Sequence, residues 1–509
     1  MAVSVTGHRI NLACRIRQAR LLQTVEVDND QWLVGVYVQF MPVTPDTPTG
    51  PLDAGHWQQR LDELRVKHGV PGAQLGILRL DAHGAEDEIL TVASGVLSAR
   101  AGWAATPDSV WQIGSITKVW TATVIMQLVD EGHFTLETPV KEIITDLTLG
   151  DPDVAEKLTV WHLLTHTSGI DGDIMTDTGR GDDALAKYVA ALDTVQQNHP
   201  LGATWSYCNS GYIMLGRIIE VVTGRTWDAA IKEKLFTPLG LATATTLPEE
   251  AIVFAHSVGH FAGGENPVPA STWAIPRSSG PAGGINASTA EVLAFARMHM
   301  LGGVAADGTR VLSAESTAAM AALQTDCPEK ILLGDSWGLG WMRALWDGRR
   351  VLGHDGNVVG QCAFLRIVPE AGVAVSLNTN IASAPDLYLD VFEEVLAEVA
   401  GVRMPARFNP SGDVEVDMTP YVGRYGRTSV AHEVLAADSG PKMTTEYSGA
   451  IAKMIAAKDQ VDDLYPTATP GLFGVRPGGM ESTYPVTFYS LPTGERYLHF
   501  GARANPRKA

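Results

Sequence analysis

Hydrophobic and polar positions along the chain change rhythm several times, and each change predicts an element. Residues 57–68 (WQQRLDELRVKH) carry apolar side chains at helical spacing and stop at Gly69, predicting an amphipathic helix. Residues 73–80 and 89–96 alternate and end in turn residues, predicting a pair of strands. The short β-branched and aromatic run 109–113 (SVWQI) leads into 119–130 (VWTATVIMQLVD), mostly apolar and closed by Glu131-Gly132. A helix that is apolar all round is a buried one. From 139 to about 246 the pattern is helical and loop-rich, with helices expected at 212–223 and 227–235 and a capped helix at 288–300. Strands return at 338–344, 350–353, 361–368 and 373–378, followed by a helix at 387–400. Strands at both ends with helices between them predict one sheet assembled from distant segments, beside an all-helical lobe.

Residues 401–416 are rich in Pro and Gly and read as a linker. Short β-like runs then follow at 421–427, 431–436, 442–447, 471–475, 484–490 and 496–503, with Pro492-Thr493-Gly494-Glu495 as a hairpin signal. They predict a small antiparallel barrel or sandwich. The expected division is an N-terminal extension at 1–50, a main domain at 51–402, a linker at 403–417 and a β domain at 418–509. Residues 1–40 hold arginines at 9, 15, 17 and 20 but no apolar core of signal-peptide length, and 32–40 (WLVGVYVQF) is an alternative extra strand. Core patterning starts near Trp57, so a chain beginning at Met41 is expected to fold.

Charge narrows the function classes. The 509 residues hold 57 acidic and 38 basic side chains, a net charge of −19, which argues against nucleic acid or an anionic membrane surface as the main partner. No run approaches the eighteen or so apolar residues of a membrane span. Cys14, Cys208, Cys327 and Cys362 are scattered without a C-x-x-C and read as free thiols in a reducing compartment. Together these features lead to the expectation of a cytoplasmic protein. No His/Cys/Asp cluster has metal-ligand spacing and no glycine-rich loop has a dinucleotide pattern, so no metal or cofactor is expected.

Three short motifs carry chemistry. Gly114-Ser115-Ile116-Thr117-Lys118 opens the apolar helix. Residues three apart on a helix share a face, so the Lys118 amine can reach the Ser115 hydroxyl. Burial near the positive helix end lowers a lysine pKa, making the amine a base for a serine that is otherwise a poor nucleophile. Tyr207-Cys208-Asn209 precedes a helix and offers a phenol that a nearby ammonium can hold partly ionised, for proton transfer to a leaving group. The Asn209 amide can bond substrate and Lys118. His354-Asp355-Gly356, placed between strands 350–353 and 361–368, brings an imidazole to the cleft, and Gly356 lets a substrate lie close to the strand. His166 reads as a core histidine, and Trp205, Trp273, Trp337, Trp341 and Trp346 as core and cleft wall.

In this order and spacing GSITK, YCN and HDG resemble the class C β-lactamase and penicillin-binding-protein superfamily, supported by LLTHTSGI at 163–170 and PAGGINAS at 281–288. The similarity covers about residues 55–400. The resemblance implies an antiparallel sheet flanked by helices (an α/β lobe) beside an all-α lobe, with a second, small all-β lipocalin-like barrel. It implies Ser115 as nucleophile, Lys118 as base, Tyr207 as proton shuttle and His354 as the third catalytic group. Asn209, Gly356 and Asn357 would bind substrate, with the backbone N–H groups of Ser115 and Asn357 as the oxyanion hole. Lipocalin-bearing members lay the barrel over the cleft, so Arg503 would bind an acidic substrate end. His354 stands where β-lactamases of this class carry lysine, which favours the peptidase, esterase and acyl-transfer branches.

The expected function is a serine acyl-enzyme hydrolase or acyltransferase acting on a small peptide or ester, as a D-residue-directed peptidase, amidase or esterase. One alternative is a penicillin-binding-protein-type thioesterase that cyclises non-ribosomal peptides delivered as thioesters on a carrier protein. The other is a non-catalytic sensor or scaffold.

Overall fold

The computed structural model describes the backbone of residues 2–6, 9–16 and 19–26, and residues 51–508 apart from 82–86, 175, 263–265, 383, 411–412, 450–451, 453–459 and 478–481. Residues 2–26 contribute a three-stranded antiparallel sheet, Ala2–Thr6, Arg9–Ile16 and Ala19–Glu26. The expected alternative strand at 32–40 lies outside the described residues.

The main sheet has eight antiparallel strands. In spatial order they are Thr325–Asp326, Ser336–Trp337, Met342–Trp346, Arg349–Val358, Gln361–Val368, Val373–Thr379, Gly72–Arg79 and Glu88–Gly95. The two N-terminal strands pair onto the C-terminal set through Val373–Thr379 against Gly72–Arg79, so distant segments share one sheet. Val373–Thr379 is buried at every position because both faces are covered. Val373, Val375 and Leu377 pack against Trp57 and Leu61 of the helix Ala54–Lys67 and Val391, Phe392 and Val395 of the helix Pro385–Val395. Ala374 and, on the next strand, Leu365 and Ile367 face the other way, against Val292 and Phe295 of the helix Thr289–Met300 and the nucleophile helix Thr117–Asp130. Each fully buried Leu, Val or Phe here is worth about 1.5–3 kcal/mol relative to exposure. Residues 117–128 are all buried, as a helix apolar on every face requires.

Three sequence expectations need correction. His354-Asp355-Gly356 lies inside the strand Arg349–Val358, not between two strands. Within that strand Gly356 is packed against the nucleophile turn: a Cβ there would stand 1.9 Å from Ile113 O. The run 496–503 is two strands, Arg496–Phe500 and Arg503–Pro506, reversed at Gly501 (φ 56°) and Ala502 (φ 66°). Gln460–Pro466 is a strand that the pattern hid, because only Leu464 and Pro466 in it are buried.

These belong to a second sheet of eight antiparallel strands, from Gly423–Arg427 to Arg503–Pro506. It closes on itself through a Tyr425–Arg507 bridge and Lys508 N–H donating to Arg424 O at 2.7 Å, which removes the open edges. Tyr425, Val434, Met443, Phe473, Val486 and Leu498 fill it. The barrel docks beside the nucleophile: Tyr207 N–H donates to Ala502 O at 2.9 Å, and Ala504 N–H to Ser206 Oγ at 3.1 Å. No helix among the described residues is long and apolar enough to cross a membrane.

Candidate active site

Ser115 sits in a single 3₁₀ turn, Gly114–Ile116, that runs directly into the buried helix, and it is partly exposed. Two glycines let this turn touch the strand Arg349–Val358. A Cβ on Gly114 (φ 52°) would lie 2.8 Å from Asn357 N, and one on Gly356 would lie 3.1 Å from Ser115 N. The backbone nitrogens of Ser115 and Asn357 therefore come together at the nucleophile, the arrangement an oxyanion hole needs. The stretch 281–288 backs the turn: Ala282 O accepts from Lys118 Nζ at 2.6 Å and Pro281 O from Thr121 Oγ1 at 2.8 Å.

Lys118 is fully buried, with Nζ 3.0 Å from Ser115 Oγ and 4.9 Å from the Tyr207 ring centre. Burial, reinforced by the Arg503 charge, pushes its amine well below the ordinary lysine value. A neutral amine bonded to Ala282 O keeps a lone pair for the Ser115 proton. Tyr207 is buried and hydrogen-bonded to Ser115, and burial pushes its phenol up despite Ser115 and Arg503. The expectation of a partly ionised phenol is thus corrected, because loss of solvation outweighs the nearby cation.

His354 is buried, and Nδ1 lies 2.7 Å from Asp355 O, so that nitrogen carries the proton and donates. Burial, with the Arg366 charge beside it, pushes its pKa down to about 3, leaving a neutral ring in place of a lysine cation. Asp355 points elsewhere and pairs with buried Arg366.

Asn209 lines the same cavity, but its amide Nδ2 donates to Asp173 Oδ1 at 3.0 Å, and no bond to Lys118 is present among the described residues. The reason is a charge cluster that sequence reasoning missed. Asp173 also accepts from Arg503 Nη2 at 2.9 Å and Nε at 3.1 Å, and Arg427 Nη1 lies 2.8 Å from its Oδ2. Both arginines come from the barrel. Their charges hold the Asp173 carboxyl well below the usual carboxylate range although it is buried. Asp171, also buried, takes Thr428 N–H at 3.0 Å. The guanidinium of Arg503 lies 4.8 Å from the Tyr207 ring centre. The one sequence signal for this hub was the pair of acids in Asp171-Gly172-Asp173, directly after LLTHTSGI. A cavity of about 1510 Å³ opens over Ser115, bordered by Tyr207, Asn209, His354 and Asn357 and by Arg427 and Arg503 of the barrel.

One consequence is a pH profile. Acylation needs neutral Lys118, so its rate should rise with pH through one ionisation below the ordinary lysine value and then stay level. Rates of fluorophosphonate inactivation against pH test this. A rise centred near about 10.4, the value of an unperturbed lysine, would show that Lys118 is charged at neutral pH.

The beta-lactamase family profile matches residues 57–397, and the chain belongs to that family. Penicillin-binding protein 4 of Amycolatopsis lactamdurans is 46% identical over 381 residues, covering 74% of this chain and 98% of that protein. The crystal structure of SurE superposes with a TM-score of 0.71 at 27% identity, over 89% of this chain and 99% of SurE. SurE with D-Leu gives 0.70 at 26% identity. A D-stereospecific amidohydrolase from Streptomyces sp. gives 0.52 at 25% identity, over 69% of this chain and 99% of the other. The chain is a serine hydrolase with the fold of this family and an added lipocalin-like barrel.

Proposed function

We propose that the chain is an acyl-enzyme hydrolase or acyltransferase that cleaves amide or peptide bonds of D-configured residues. The observation that carries the chemistry is the buried, neutral Lys118 amine 3.0 Å from Ser115 Oγ, under the Tyr207 ring. Lys118 takes the hydroxyl proton as Ser115 Oγ bonds to the carbonyl carbon. The resulting oxyanion lies against the N–H groups of Ser115 and Asn357. Tyr207 protonates the leaving amine, and water or another amine then resolves the ester. The choice of D-residues is supported by similarity to the D-stereospecific amidohydrolase and to SurE, which has been solved with D-Leu. Turnover of D-leucine p-nitroanilide against its L-enantiomer tests it. The reading expects a clear preference for D, and equal rates or a preference for L would refute it.

Arg503 is assigned to the substrate's acidic end. A guanidinium has five N–H groups, and among the described residues three of its contacts are to Asp173 and Gly501, which leaves two for a carboxylate. Arg503→Ala should lower kcat/KM for a D-residue peptide with a free carboxylate by roughly 10–10²-fold, the worth of a hydrogen bond to a charged group. A small neutral ester should be little affected. Equal losses on both substrates would remove Arg503 from binding.

A further inference from the structure

His166 lies in the turn after the short helix Val160–Leu164 and is fully buried, with a backbone φ of +59° that side-chain-bearing residues seldom adopt. Its ring packs among Tyr207, Tyr212 and Trp337, and the hydrogen bonds of its carbonyl and ring converge on the residues flanking Tyr207. The His166 carbonyl accepts from Ser206 N–H at 2.9 Å, and its Nδ1 accepts from Cys208 N–H at 3.0 Å. Its ring lies 4.4 Å from the Tyr207 ring, centre to centre, at an interplanar angle of 31°. The residues on either side of Tyr207 are thus tied to His166, and the phenol rests on its imidazole. Because a backbone N–H must donate to Nδ1, the ring proton is on Nε2. Burial, with the Arg503 charge nearby, keeps the ring neutral. On the other strand of contact, Ala502 O holds Tyr207 N–H, so the peptide is gripped from the catalytic domain and the barrel together.

We propose that His166 is a positioning residue, clamping residues 206 and 208 so that the Tyr207 hydroxyl stays at Ser115. The inference rests on the reading that Tyr207 protonates the leaving group. A displacement of about 1 Å at a catalytic group can cost on the order of 10²-fold. The positive φ guides the choice of variants. His166→Gly removes the ring at a backbone angle that glycine tolerates, and His166→Asn keeps an acceptor oxygen where that angle is still tolerated.

Two readouts on the full chain separate positioning from general damage: turnover of D-leucine p-nitroanilide, whose leaving amine needs a proton, and fluorophosphonate labelling of Ser115, which expels fluoride. His166→Gly should lower kcat for the anilide by on the order of 10²-fold, with KM within about twofold, while labelling slows far less. His166→Asn should recover part of kcat. In a Tyr207→Phe background, adding His166→Gly should cost almost nothing more, since His166 acts through Tyr207. If His166→Gly does not fold, His166→Asn with and without Tyr207→Phe makes the same comparison. Anilide turnover and labelling falling together, losses that multiply in the double variant, or full kcat in a folded His166 variant would each overturn the clamp. If Tyr207→Phe slows anilide turnover while the His166 variants do not, the clamp alone fails. If Tyr207→Phe keeps full rate, the proton-donor reading fails and the clamp with it.

Discussion

Lys118→Ala should acylate at Ser115 roughly 10²–10⁴-fold more slowly than wild type, the usual loss when a general base is removed. The size follows from the surroundings. Lys118 is completely buried, its Nζ is 3.0 Å from Ser115 Oγ, and its amine is pushed well below the ordinary value. His354 is too weak a base to replace it, because burial pushes its pKa down to about 3, and the Tyr207 phenol, pushed up by burial, stays protonated. The fold should survive, because the alanine removes a polar group whose only other partner is Ala282 O among the described contacts. Fluorophosphonate labelling rates on folded protein check the expectation. Near-normal labelling of Lys118→Ala would take the lysine out of the mechanism.

Asp173→Ala should have the largest effect on stability, about 3–5 kcal/mol, the cost of leaving buried charges without their partner. Asp173 joins Arg427 and Arg503 of the barrel to Asn209 of the catalytic domain, and its side chain is only 5% exposed. Removing it strands two arginines next to each other, with Asp171 left facing Arg427. The first consequence should be undocking of the barrel, exposing the surface around Trp205 and Tyr207, where Ala502 now packs. Urea unfolding with hydrogen exchange at Tyr207 and Ala504 measures this. Loss of less than about 1 kcal/mol, the typical worth of an exposed pair, would show that the cluster does not hold the two domains together. No acid dependence should come from Asp173 itself above the usual carboxylate range: its folded pKa is depressed, so its contribution is present above the unfolded value and is lost only as pH falls below that range.

How much of this could be read from sequence depended on whether the signal was local. The buried nucleophile helix was legible because 119–130 is apolar on every side, and the strand Gln361–Val368 because its flanks change character sharply. The family was legible because three motifs fall in order. The packing role of Gly356 was not legible, because a glycine required by the approach of Ile113 looks the same in sequence as one required by a bound substrate. Gln460–Pro466 was missed because Asp462 and Asp463 interrupt its apolar pattern and only Leu464 and Pro466 in it are buried. The Asp173 hub was out of reach for a different reason. Its partner Arg503 lies 330 residues away, and only the docking of the barrel brings the two together. His166 was recognised as a core residue, and it is one, but its hydrogen bonds to the residues flanking Tyr207 depend on a positive φ that nothing in the sequence announces.

The central claim is a covalent acyl-enzyme at Ser115, and intact-mass spectrometry after treatment with a fluorophosphonate tests it most directly. The account predicts a single adduct on the wild-type chain, mapped by peptide digestion to the segment holding Ser115, and no adduct on Ser115→Ala. An adduct of equal yield on Ser115→Ala, or one mapped to another residue in the wild type, would contradict it.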